Sequence, residues 1–298
     1  MGIAGGTIDK FESIPGYNTE ISIEEFKENI IKHGTAILNE SKNVNPAENK
    51  IYRLRNEIAC TDCIPIIAAS LMSIKLATGS QKIVFEVTYG NGTYIKTKDQ
   101  ARRLAKILKV IGKRLNKDVR CLITNMDEPL GYAIGNTLEM IEAIESLKGK
   151  MPQDLGDVVV TTGGLILQMV TGNRNMNANH EKIKEVLRNG KAYEKFLEMV
   201  AAQNGDISYI NMPERFEKAE YIMPVYAADD GYIEQIDADI VGSIARYLED
   251  EKLKNSGIVL NKKIGDIVTS RRNCSTYSYK WWEKGYWSNK KFRRCFQN

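Results

Sequence analysis

Apolar positions recur at helical spacing in some stretches of the chain and alternate or cluster in others. ISIEEFKENIIKHGTAIL, residues 21–38, places Ile23, Phe26, Ile30 and Ile31 on one helical face. Ser22 followed by Glu25 is a capping-box pattern, and His33-Gly34 is a helix stop. TAIL at 35–38 then predicts a short buried strand. Residues 61–79 predict a second helix, with Pro65 near its start and Gly79 at its end. KIVFEVTYG at 82–90 predicts a strand that runs into the glycine turn Gly90-Asn91-Gly92. A helix over 98–115, a strand over 118–124 and a helix over 136–149 follow. A further helix is expected over 158–170, interrupted at Gly163-Gly164. This alternation predicts an α/β fold with a mostly parallel sheet flanked by helices.

Near residue 219 the rhythm changes. Short strands with glycine turns, separated by the one helix ADIVGSIARYLED, predict a small C-terminal α+β module with a boundary around 206–220. The last thirty residues show neither period, and no element is expected deep within them.

Charge sharpens that division. The chain carries +4 overall, but 269–298 holds eight basic residues against the single acid Glu283, leaving the rest at −3. All three tryptophans, Trp281, Trp282 and Trp287, lie in the same tail. The body is therefore no candidate for nucleic acid; only the basic, aromatic tail could stack on bases. No apolar run reaches transmembrane length, the start lacks signal-peptide regions, and five cysteines read as free thiols. A cytoplasmic protein with no membrane partner is expected. Cys60-Thr61-Asp62-Cys63 has no second pair to complete a zinc site, so two packed thiols are the better reading. Two histidines, His33 and His180, leave little material for a triad or a His-rich metal site.

Four segments in order carry a more specific signal: GGTIDKFESIPGYNTEIS (5–22), NEIACTDCIPIIAASLMSIKLATG (56–79), EPLGYAIGNTLEMIEAIESLKG (128–149) and NKKIGD (261–266). Together they resemble the thymidine phosphorylase / pyrimidine-nucleoside phosphorylase family over about residues 1–268. The resemblance implies a pentosyltransferase that cleaves a pyrimidine nucleoside with inorganic phosphate into base and pentose 1-phosphate. It implies no organic cofactor, and homodimerisation through a helical lobe. Arg55, Tyr52 and Ser70 match the family's base-binding positions, and Thr7 a phosphate-binding threonine. Leu130, Ala133 and Glu142 match positions that bind a monovalent cation such as K+ through two backbone carbonyls and a carboxylate.

The chain departs from the family at definite places. Ile74 stands one helical turn after Ser70, where the family has lysine, and Lys75 is about 100° further around the helix. Thr88 replaces a lysine in the glycine loop at 86–94. The family's main phosphate loop has no counterpart after Met1, so the expectation is an N-terminally truncated, degenerate member with impaired turnover. Residues 1–205 then form a central phosphorylase domain, with 47–77 the remnant of the helical lobe. Residues 219–268 form the C-terminal module, and 269–298 a tail of the kind a shifted reading frame produces. Two further readings stand beside an enzyme: an inactive remnant, and an interaction protein working through the tail.

Overall fold

The structure, a computed structural model, describes residues 6–39, 46–58, 61–249, 255–269, 273–279 and 296–297. They fall into two compact units that interleave along the chain. The first draws on Met1–Ile37, Asp127–Leu155 and Leu187–Asn298; the second on Leu38–Met126 and Gly156–Val186. The boundary expected near 206–220 lies inside the first unit.

The second unit is built on a strand–helix–strand crossover. Strands β1 (Lys82–Tyr89) and β2 (Asp118–Asn125) pair in parallel, from Lys82 opposite Asp118 to Tyr89 opposite Asn125. Alternation buries Ile83, Phe85 and Val87 on one face of β1. Their partners are Leu104 and Leu108 of α5 (Lys98–Arg114) and Ala68 and Met72 of α4 (Ile64–Ala77). Thr97 caps α5 with Gln100 in a reciprocal box. Helix α3 (Pro46–Glu57) packs on α4.

Helices α7 (Gln153–Thr171) and α8 (Met176–Arg188) complete this unit, with the first residues of α7 assigned to the other. Helix α7 runs unbroken through Gly163-Gly164, contrary to the expected interruption. The glycines serve packing. A Cβ at Gly163 would lie 2.9 Å from the Ile183 side chain, and one at Gly164 2.4 Å from the His180 ring. The face of α5 beside its core stripe carries Arg102, Lys106, Lys109 and Lys113, which line an open groove of about 710 Å³ with Lys117. Positive charge is therefore not confined to the tail.

The first unit holds α1 (Thr7–Phe11), α2 (Ile23–His33), β3 (Ala133–Ile134), α6 (Asn136–Leu147), α9 (Lys191–Ala202) and α10 (Ile207–Asn211). After these come β4 (Tyr221–Tyr226), β5 (Gly231–Tyr232), β6 (Gln235–Ile236), α11 (Ala238–Leu248), β7 (Gly257–Leu260), β8 (Ile267–Val268), β9 (Asn273–Tyr279) and β10 (Phe296–Gln297). Ser22 and Glu25 cap α2 as expected, and Gly34 ends it in the left-handed conformation at φ 75°. Residues 35–39 do not form the expected strand. The Ile37 N–H donates to Gln203 Oε1 at 2.8 Å, and its carbonyl accepts from Gln203 Nε2 at 2.7 Å. A side-chain amide thus takes the place of a neighbouring strand.

Strands β3, β7, β9 and β4 form an antiparallel sheet in that order. Helix α11 buries Val241 and Ala245 against Ile134, Ile258 and Leu260. Two expectations are corrected here. The pair β1–β2, joined through α5, is the one parallel pairing among the described residues; the other five pairings are antiparallel. The tail also contributes an element: β9 lies between β7 and β4. At the edge of this sheet β3 approaches so closely that a Cβ on Gly257 would lie 2.2 Å from the Ile134 carbonyl oxygen. Among the described residues no single helix is long and apolar enough to cross a membrane.

Candidate functional site

The three expected base-binding residues lie on α3 and α4 of the second unit. Positions 48, 52 and 55 fall on one face of α3 by helical spacing. Arg55 is 6% exposed, its Nη2 donates to the Thr61 carbonyl at 3.2 Å, and its guanidinium stands 5.9 Å over the Tyr52 ring. A cation over an aromatic face is attracted by the ring quadrupole, which holds the planar fork in one orientation. Ser70, on α4, donates its hydroxyl proton to the Glu48 carboxylate. One turn further along α4, Ile74 is half-buried. The structure thus joins Tyr52 to Arg55, and Ser70 to Glu48, across one helix pair. Glu48 was missed from sequence, although its spacing from Tyr52 and Arg55 was the available signal. Cys63, at the N-cap of α4, is a free half-buried thiol, and Cys60 lies outside the described residues.

The expected cation-binding residues come together in the first unit, where the chain turns from residue 128 into β3. Three consecutive amides are committed to carboxylates. Gly131 N–H donates to Asp154 Oδ2 at 3.0 Å, and Tyr132 and Ala133 N–H donate to Glu142 Oε1 at 2.8 and 3.2 Å. Gly131 has φ 69°, and a Cβ there would lie 2.3 Å from Glu142 Oε2, so the turn admits only glycine without strain. Tyr132 accepts from Leu260 N–H on β7, so the next residue, Ala133, turns its amide and carbonyl to the open edge of the sheet. A cavity of about 500 Å³ opens there, lined by Tyr132, Ala133, Glu142, Glu145 and Lys150. Burial pushes the Glu142 carboxyl above the usual carboxylate range despite its two amide donors.

Lys263 closes this turn from the other side. Its ammonium donates to the Pro129 carbonyl, lies 3.0 Å from Asp154 Oδ2 and stands 5.6 Å over the Tyr132 ring. Burial pushes the Asp154 carboxyl up, but the Lys263 hydrogen bond and charge and the Gly131 and Leu155 amides hold it below its ordinary value. Neither Asp154 nor Lys263 was expected from sequence as a site residue. The NKKIGD segment stands out on paper, but nothing in it shows contact with a loop 134 positions earlier.

Thr7, the expected phosphate-binding residue, is exposed in the first turn of α1. The preceding Gly6 N–H is taken by Asp9 Oδ2 at 2.6 Å. In the glycine turn after β1, Gly90 N–H donates to the Ile95 carbonyl and Gly92 N–H to the Met126 carbonyl. Lys96 Nζ reaches the Asn91 carbonyl at 3.1 Å, so this turn is closed by internal bonds.

A family model described as "Glycosyl transferase family, a/b domain" matches residues 1–193. The chain belongs to this glycosyl transferase family. Among its relatives, the pyrimidine-nucleoside phosphorylase of Geobacillus stearothermophilus is 38% identical over 283 residues, covering 93% of this chain and 65% of the relative. The enzyme of the same name from Bacillus subtilis is 38% identical over 275 residues, 90% of this chain and 64% of its own length. That of Staphylococcus haemolyticus is 38% identical over 283 residues, again 93% and 65%. The chain thus spans 65% or less of the length of these curated relatives. Residues 1–193 of the family match contain Thr7, the α3–α4 pair and the 128–142 turn, so each of these features lies within the family's own domain.

Proposed function

We propose that this chain serves the phosphorolysis of a pyrimidine nucleoside, with α3 and α4 recognising the base. The observation that carries the proposal is the buried Arg55 guanidinium held over Tyr52, on a helix tied to Ser70 through Glu48. The names of the relatives agree with it.

In the reaction, phosphate oxygen forms a bond to the sugar's anomeric carbon as the bond to the ring nitrogen breaks. The electron pair leaves with the base and spreads onto its carbonyl oxygens. A fixed guanidinium suits that developing charge, because its donors are in place before the charge appears. Ser70 has a complementary role. With its proton directed to Glu48, its oxygen presents lone pairs to the ring N–H of a pyrimidine. Ile74 offers no donor to the second carbonyl, and an unmade hydrogen bond in a dry site costs about 1–3 kcal/mol. Turnover is therefore impaired relative to a lysine-bearing site. Thr7 is the proposed phosphate contact.

The 128–142 turn fits a monovalent cation. The Tyr132 and Pro129 carbonyls are already engaged by Leu260 and Lys263, and the Leu130 and Ala133 carbonyls with the Glu142 carboxylate would make a hard-oxygen donor set. Leu130, Ala133 and Glu142 would hold the ion, which supplies positive charge that rigidifies the turn. Nucleoside and inorganic phosphate are the proposed small partners, a second copy of the chain the proposed protein partner, and the cytoplasm the proposed location.

Calorimetric titration with thymine and uracil tests the base site. Arg55→Ala is expected to weaken binding at least 10-fold with the fold retained; equal affinity in the two proteins would overturn the assignment.

A further inference from the structure

We infer that Lys263 is a positioning residue for the cation turn: through Pro129 and Asp154 it orients both peptide planes that flank Leu130. The inference rests on the reading that Leu130, Ala133 and Glu142 hold a monovalent cation.

In a trans peptide the carbonyl of one residue and the N–H of the next point in opposite directions. Asp154 Oδ2 accepts from Gly131 N–H at 3.0 Å, so the Leu130 carbonyl of the same plane is turned away from Asp154. The preceding plane is held by its carbonyl, Pro129, which accepts from Lys263. Lys263 Nζ also lies 3.0 Å from that same Asp154 oxygen. One ammonium therefore grips the first plane directly and the second through a carboxylate. The direction of the Leu130 carbonyl follows from the two together.

Burial makes this grip specific. The Lys263 side chain is 13% exposed and its ammonium lies over the Tyr132 ring, the next residue of the turn but one. A desolvated ammonium keeps its charge only with partners, and here they are a carbonyl, a carboxylate and an aromatic face, all in or against the turn. Two backbone bonds seat the lysine itself. Ile264 N–H donates to Glu128 Oε2 at 2.9 Å, and Lys263 N–H to Asp266 Oδ2 at 2.8 Å. The stem of Lys263 and the first residue of the turn are thus fixed to each other.

A lysine near a cation site would ordinarily repel the ion. Here the pairing with Asp154 cancels most of its field at a distance, so geometry outweighs charge. Removing the ammonium frees the first plane and leaves the second held only by Asp154, so the turn must then order its carbonyl against the ion at the moment of binding. That ordering weakens affinity.

The test uses the full chain and thallium(I) as the probe, followed by 205Tl NMR and displaced by KCl. Folding is monitored separately by thermal melting in buffer free of K+. Lys263→Met is expected to raise the thallium dissociation constant 10-fold or more. Lys263→Arg, which can still donate to both partners, should stay within about threefold of the unsubstituted protein. Asp154→Ala, which leaves no acceptor for Gly131 N–H or Lys263, should weaken binding too, and the double variant should lose no more than the worse single one, because both act on one relay. Wild-type affinity or tighter binding in folded Lys263→Met would overturn the inference, whatever happens to its melting temperature. Should Lys263→Met fail to fold, Asp154→Ala decides in its place, and wild-type affinity there has the same force. If the unsubstituted chain itself gives no thallium signal, the cation reading fails first and this inference with it.

Discussion

Replacing Gln203 with methionine removes four hydrogen bonds while nearly keeping the side-chain volume. Gln203 is 1% exposed. Its Oε1 accepts from the Tyr17 hydroxyl at 3.0 Å and Ile37 N–H at 2.8 Å, and its Nε2 donates to the carbonyls of Asn18 at 2.8 Å and Ile37 at 2.7 Å. In Gln203→Met the Asn18 carbonyl, on an exposed residue, recovers water. The Tyr17 hydroxyl, on a buried residue, does not, and Ile37, which loses partners at both its N–H and its carbonyl, is half-buried. Three groups at about 1–3 kcal/mol each, with Ile37 partly hydrated, give roughly 3–5 kcal/mol. At about 2–4 °C per kcal/mol for a unit of this size, melting should fall by roughly 6–20 °C. Hydrogen exchange adds the specific readout: the Ile37 amide should exchange far faster in the variant, while amides of β1 and β2 are unchanged. A melting drop below about 2 °C with Ile37 still protected would refute the reasoning.

Other consequences are as direct. Gly257→Ala forces a Cβ to within 2.2 Å of the Ile134 carbonyl oxygen, which as backbone cannot rotate away. A loss of at least about 1–3 kcal/mol and faster exchange at Ala133 and Ile134 are expected in chemical denaturation and hydrogen exchange. Asp154 has a depressed pKa, so its contribution is present at neutral pH and disappears as pH falls through that pKa. Asp154→Asn should therefore melt lower than wild type at pH 7 and converge with it on acidification. Glu142 has the opposite sign: its carboxyl is raised by burial, so the charged form costs stability once pH rises through the raised pKa. In K+-free buffer Glu142→Gln, which still accepts from Tyr132 and Ala133, should gain on wild type as pH climbs; the reverse trend in a melting series would count against the assignment.

Local chemistry was legible where neighbours decide the outcome. Ser22, Glu25 and Gly34 bound α2 through contacts within a few residues, and Thr97 does the same for α5. What escaped was decided from afar. The strand expected at 35–38 yields to Gln203, 166 positions away, and the break expected at Gly163-Gly164 is instead a seat for Ile183 and His180. The site divides along the same line. Tyr52, Arg55 and Ser70 could be matched by resemblance, but that Glu48 accepts the Ser70 hydrogen bond required the fold. The reach of Lys263 to Pro129 left no trace in local pattern. The parallel-sheet expectation extended the crossover at 82–125 to strands that pair antiparallel in the four-stranded sheet.

If α3 and α4 recognise a pyrimidine base, they lack one donor, at Ile74. The direct measurement is phosphate-dependent release of thymine or uracil from its nucleoside by the purified chain, separated chromatographically, for wild type, Ile74→Lys and Ile74→Lys with Arg55→Ala. A restored charge-assisted hydrogen bond is worth about 1.5–3 kcal/mol, or about 10- to 150-fold in rate. The account predicts a gain of that size in Ile74→Lys, dependent on phosphate and lost when Arg55 is also removed. No gain, or a gain that survives Arg55→Ala, would contradict it.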